Sequence, residues 1–129
     1  MNRHMTIGLS MLAGAALGAG VIQALHAQAR PLAYNIAEVT ITDQDGYTKE
    51  YLPLITKAIT DAGGKFLARG GKTVSFMGAA PAPRVVVIQF DNLDKLQAFY
   101  DSAETKAAQA IGSKVSTQRV FGVEGVPPQ

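Results

Sequence analysis

The fold class that the sequence predicts is α+β: one four-stranded antiparallel sheet with two helices on the same face. Three observations predict it. Segments of strand period and helix period follow one another as strand, helix, strand, strand, helix, strand between residues 34 and 124. Glycine pairs or capping residues punctuate most of the junctions. One central run, Val85-Val86-Val87-Ile88, is β-branched almost throughout, as a strand covered on both faces requires.

Tyr34 to Thr42 alternates, with Ala37, Val39 and Ile41 on one face and Tyr34, Ile36, Glu38 and Thr40 on the other, which predicts the first strand. Asp43-Gln44-Asp45-Gly46 supplies a turn with carboxylates suited to capping a helix. Tyr47, Tyr51, Leu54, Ile55, Ala58 and Ala62 then recur at helical spacing as far as Gly63-Gly64. Pro53 falls inside that helix and lacks the N–H that an i to i−4 bond needs, so a bend or an irregular first turn is expected there. Lys65 to Arg69 predicts a second strand, broken by a bulge or bend at Gly70-Gly71 and resumed through Thr73 to Met77. After the loop Gly78 to Pro83, Arg84 to Phe90 is the central strand, hairpin-paired with the one before it. Asn92 caps a helix carrying Leu93, Leu96, Phe99 and Tyr100. Ser102 caps its Ala-rich continuation to Ile111, and Gly112 is expected to end it. Thr117 to Val123 is the last strand, with Arg119, Phe121 and Val123 opposite Gln118, Val120, Gly122 and Glu124. The order is the ferredoxin-like βαββαβ arrangement. Its uncovered sheet face holds residues as apolar as Ile36, so burial against a second copy, giving a homodimer, is expected.

The chain divides into a leader, residues 1–29, and a single domain, residues 30–129. Arg3 and His4 precede an apolar stretch from Ile7 to about Leu25, and Ala27-Gln28-Ala29 offers the small side chains that a signal peptidase accepts. Cleavage after Ala29 would leave Arg30 as the mature terminus and place the protein outside the cytoplasm, periplasmic or secreted. The alternative is an uncleaved membrane anchor, against which the Gly and Ala content of the stretch argues. Both histidines, His4 and His26, lie in this leader and cysteine is absent, so the domain lacks the side chains most used for proton transfer, nucleophilic attack and transition-metal binding. No metal site and no cofactor are expected. Removing Arg3 with the leader leaves 11 basic against 10 acidic residues, scattered singly, a pattern that predicts neither a nucleic-acid partner nor a membrane partner for the mature domain.

Apparent motifs dissolve on spacing. Gly71-Lys72-Thr73 imitates the end of a phosphate-binding loop, but Phe66 stands where that motif needs glycine. Asp43-Gln44-Asp45-Gly46 lacks the later ligands of a calcium loop. The chemistry-bearing residues that remain are Arg69, Tyr100, Glu38 and Arg84, with Tyr34, Tyr47, Tyr51, Asp101 and Glu104 in reserve. A guanidinium at Arg69, beside glycines that allow close approach, could hold a carboxylate or enolate by paired hydrogen bonds; its structural alternative is an ion pair to Glu38 or Glu124. Tyr100 could reach a cleft between helix and sheet, or serve as core with its hydroxyl at the rim.

Phe66-Leu67-Ala68-Arg69-Gly70-Gly71, Arg84-Val85-Val86-Val87 leading to Phe90, Tyr100-Asp101-Ser102 and Val123-Glu124-Gly125 occur in this order. Together they resemble the domain of unknown function family DUF1330 across essentially the whole domain. The resemblance implies a ferredoxin-like dimer of the dimeric α+β barrel group and implies no activity. The chain departs from the family pattern at Ala103-Glu104-Thr105, where similar proteins have Pro-Glu-Tyr, and near Ile111-Gly112, where a basic residue is usual. The expected function is binding of a small molecule in the cleft between sheet and helices. The alternatives are a cofactor-independent enzyme acting on a small carbonyl or phenolic compound, by fold analogy, and a purely structural dimerisation module.

Overall fold

The computed structural model describes residues 30–128, of which Pro31–Val126 form one compact unit. The leader expected over residues 1–29, with its cleavage site, therefore lies outside the described residues. Strand β1 spans Ala33–Ile41, β2 Lys65–Arg69, β3 Arg84–Phe90 and β4 Ser116–Glu124. They form one antiparallel sheet in the order β2-β3-β1-β4, the ferredoxin-like topology. Helix α1, made of the consecutive segments Gln44–Gly46, Tyr47–Tyr51 and Leu52–Asp61, joins β1 to β2, while helices α2 (Leu93–Asp101) and α3 (Ala103–Val115) join β3 to β4.

β1 is paired on both edges and alternates in burial. Ala33, Asn35, Ala37 and Val39 are buried under the helices, where Val86, Ile88 and Phe90 of β3 continue the core. Ile36 stands between Val87 and Phe121, and Tyr34 is registered with Val123, so the second face carries a partly exposed apolar row.

Helix α1 is irregular where Pro53 predicts it. It opens with a single turn, Gln44–Gly46, passes through a π-helical segment, Tyr47–Tyr51, and continues as a regular helix over Leu52–Asp61. The Leu52 N–H reaches back to the Tyr47 carbonyl, one residue beyond the α-helical partner. The Pro53 ring can offer no N–H to the preceding turn, and the wider π turn accommodates it. Asp43 caps the start by accepting from the Gly46 N–H at 3.1 Å.

Asn92 caps α2 by accepting from the Lys95 N–H at 2.9 Å, and Ser102 caps α3 by accepting from the Thr105 N–H at 3.2 Å. Gly112, however, does not end α3, which runs on to Val115. Its role is steric: a Cβ there would lie 2.5 Å from Cε1 of the Tyr51 ring, so the missing side chain is what lets α3 close onto the π segment.

Two further expectations are corrected. The stretch Thr73 to Met77 forms no strand, because it finds no partner on β3; residues 70–83 make one exposed loop with Phe76 and Met77 almost fully in solvent. The register irregularity of the β2–β3 hairpin falls between Phe66 and Ala68, around Leu67, rather than at Gly70-Gly71. The loop is tied back at its end, where Glu38 Oε1 accepts from the Ala82 N–H at 3.1 Å while Oε2 accepts from Arg119 Nε at 2.9 Å.

Gly112→Ala should destabilise the domain by about 1–3 kcal/mol through overpacking against Tyr51, measured by urea unfolding. The Ala82 N–H, and secondarily the Arg119 guanidinium, hold the Glu38 carboxyl below its ordinary value of 4.5. Its contribution to stability is therefore present above that value and is lost as pH falls through the lower folded one. Melting temperatures of wild type and Glu38→Gln should differ at about pH 7 and converge as pH falls through the lowered folded value.

Candidate functional site

A cavity lies between the core face of the sheet and the helices. Its floor is Ala37, Val39 and Val86, and its walls include Tyr47, Tyr51, Phe99 and Tyr100. The small Ala37 side chain leaves the centre of the sheet low, and the aromatic side chains above do not fill the space. The enclosed volume is about 40 Å³, enough for about three waters at about 10–15 Å³ each.

The lining is apolar except at two ends. Arg69 and Arg84 stand at one, from β2 and the start of β3. Arg69 Nη2 donates to Thr56 Oγ1 at 2.8 Å, and its Cζ lies 4.2 Å from the Phe66 ring centroid. Arg84 is half-buried, with Cζ 5.7 Å from the Tyr47 ring centroid, and its Nε is buried with no hydrogen-bond partner. Neither guanidinium has a carboxylate within salt-bridge distance among the described residues. The ion pairs considered for Arg69 do not form: Glu38 is engaged with Arg119, and Glu124 is at the far end of β4.

Tyr100 and Asn35 form the other end. The Tyr100 hydroxyl donates to Asn35 Oδ1 at 2.7 Å, and its ring packs edge-on against Phe99 with centroids 4.9 Å apart. Burial above all, and secondarily the nearby Tyr51, push the Tyr100 phenol up to about 12, against the opposing pull of the Asn35 bond. At neutral pH Tyr100 is thus a hydrogen-bond donor and not a base. Burial raises the Tyr51 phenol as well, opposed by hydrogen bonds to Gln118 and Gln109, which line the same end. A surface groove beside β4 shares Tyr100, Gln109, Gln118 and Val120 with the cavity, so this end also communicates with solvent.

Of the four residues singled out from the sequence, Arg69, Arg84 and Tyr100 therefore meet around one cavity, whereas Glu38 lies on the opposite face of the sheet. Glu104 is on the surface with Lys57, at 3.3 Å, and Asp101 lines an outer groove with Leu93 and Phe121. Sequence reasoning passed over Asn35, Gln109 and Gln118. For Asn35 a signal existed, since the alternation that places Ala37 and Val39 inside also places residue 35 there. Gln109 and Gln118 carry no such mark. No group of His, Cys, Asp and Glu among the described residues could hold a metal ion.

A family model described as Domain of unknown function (DUF1330) matches residues 32–126. No curated protein matches the chain. Among solved structures, a protein of unknown function from Rhodopseudomonas palustris is similar at 12% identity over 84% of this chain and 94% of that one, with a TM-score of 0.59. Its methylated form gives 11% identity, 84% and 92% coverage and a TM-score of 0.60. A protein described as a candidate antibiotic biosynthesis monooxygenase from Caulobacter crescentus shares 16% identity over 78% of this chain and 95% of its own, with a TM-score of 0.54. At such identities the likeness establishes a shared fold.

Tyr100→Phe should cost about 1–3 kcal/mol, because Asn35 Oδ1 is left buried without a donor. The folded chain holds the Tyr100 proton more tightly than the unfolded one, whose phenol titrates near 10.0. Wild-type stability should accordingly fall as pH climbs from about 10 towards about 12, and the Phe variant should lose that component of the alkaline slope in denaturant titrations.

Proposed function

The chain belongs to the DUF1330 family, and from that premise we propose that it is an exported protein that pairs with a second copy of itself and binds a small molecule in the cavity between sheet and helices. The observation that carries the reading is the cavity's polarity. Arg84, whose buried Nε has no hydrogen-bond partner among the described residues, and the hydrogen-bonded Tyr100–Asn35 pair line two ends of a largely apolar space. Buried polar groups cost stability unless satisfied, so an interior that retains them in this way is suited to a ligand that satisfies them.

Binding is favoured over proton-transfer catalysis. Among the described residues no carboxylate, histidine or cysteine lines the cavity, and Tyr100 is protonated at neutral pH. Export is supported by the leader sequence alone. Dimerisation is supported by the apolar row Ile36, Val87, Phe121 and Val123 on the second sheet face, which a copy of the same face would cover.

Native mass spectrometry of protein recovered from the exported fraction tests all three parts at once. The expected result is a dimer beginning at Arg30 with extra mass retained. A monomer removes the pairing, a chain that keeps residues 1–29 removes leader cleavage, and a dimer that neither carries nor takes up any small molecule across a metabolite panel removes the binding function.

A further inference from the structure

We propose that the ligand is a small organic monocarboxylate, held side-on by the Nε and Nη2 edge of Arg84. The inference rests on the binding reading above and adds its chemical class and its anchor.

The Arg84 guanidinium offers its donors in a fixed planar fork. One side of that fork is taken. Nη1 lies against Gly70, whose backbone has a φ of +69° and whose missing Cβ would otherwise collide with the guanidinium. The opposite edge begins at Nε, which is buried and has no acceptor. A planar carboxylate fits two parallel N–H donors on such an edge.

Charge agrees with geometry. Among the described residues no carboxylate pairs with this guanidinium; Glu38 pairs with Arg119, and Asp61 and Glu104 pair with Lys57. Arg69 adds a second cation at the same end, steered by Thr56 and Phe66. An aromatic and aliphatic body would lie over Ala37, Val39 and Val86, between the Tyr47 and Phe99 rings.

The sheet register sets the length. Arg84 is opposite Val39, and Asn35, which receives the Tyr100 hydroxyl, is four residues back along β1. That separation is about 13 Å at about 3.3 Å per residue. A ligand as short as benzoate uses only the arginine end and, being larger than the cavity of about 40 Å³, requires half-buried lining side chains such as Leu52 and Phe66 to move. A longer acid with a polar tail also reaches Tyr100.

The test is titration of the protein with benzoate and with benzamide, which has the same shape without the charge, by calorimetry and by the amide shifts of Asn35, Gly70 and Val86. Wild type should bind benzoate at least about tenfold more tightly than benzamide, the order expected of a charge-assisted bond. Arg84→Gln should abolish the preference, and Arg84→Lys, which keeps the charge but not the planar edge, should restore only part of it. Arg84→Gln removes an uncompensated charge, so it should fold with a melting temperature no lower than wild type; should it unfold, the Lys variant alone decides by the loss of preference. Equal binding of the two probes, or a preference that survives in Arg84→Gln, overturns the anchor and leaves the cavity reading standing. Benzoate that shifts amides only elsewhere, or no binding of either probe at millimolar concentration, overturns the carboxylate assignment; a neutral molecule retained in native mass spectrometry would then show that the cavity binds a different class.

Discussion

Everything in this domain hangs on β1, the strand paired along both edges. Its register with β3 and β4 leaves no freedom to slip, because a shift by one residue would turn Ala33, Asn35, Ala37 and Val39 to the open face and bring Glu38 into the core. Ala37 matters as much as the pairing. Being small, it allows Tyr47, Tyr51, Phe99 and Tyr100 to descend from the helices towards the sheet, and because those rings are rigid they cannot fill what the alanine leaves. The cavity is thus a consequence of side-chain size on one strand.

Helix α1 is fitted to the same constraint. The π turn swings Tyr47 and Tyr51 onto one side, with ring centroids 5.1 Å apart, and Gly112 of α3 gives Tyr51 a place to lie. Widened helical turns are costly in isolation and persist where surrounding packing holds them. Here the packing partners are also the cavity walls, so the local irregularity and the site are one structural feature.

Among the described residues the polar groups inside divide into those satisfied by the protein and one that is not. The Tyr100 hydroxyl donates to Asn35 Oδ1, and Gln109 and Gln118 line the cavity with Tyr51. Arg84 Nε has no partner, although a hydrophobic residue at the start of β3 would suit the position better for stability alone. The opposite sheet face follows other rules: Glu38 and Arg119 there serve to hold the end of the long loop and the edge strand in place.

Strand period, helix period and capping were legible in the chain because they depend on neighbours a few residues apart. The βαββαβ order, the Asn92 and Ser102 caps and the irregularity at Pro53 all follow from such local chemistry. The same applies to Arg69, Arg84 and Tyr100 as residues of interest, since few chemically active side chains are present to choose from. What local reasoning missed depends on contacts between distant segments. Thr73 to Met77 has strand composition but no partner strand, Gly112 has the composition of a stop but lies under a ring from another helix, and Glu38 resembles a site residue but faces away from the cavity. Composition and periodicity thus determined the elements, their order and the small set of reactive groups. Only the tertiary structure decided that Arg84, and not Arg69, carries a buried donor without a partner among the described residues, because whether a guanidinium has a partner is a question of distance in space and not of spacing along the chain.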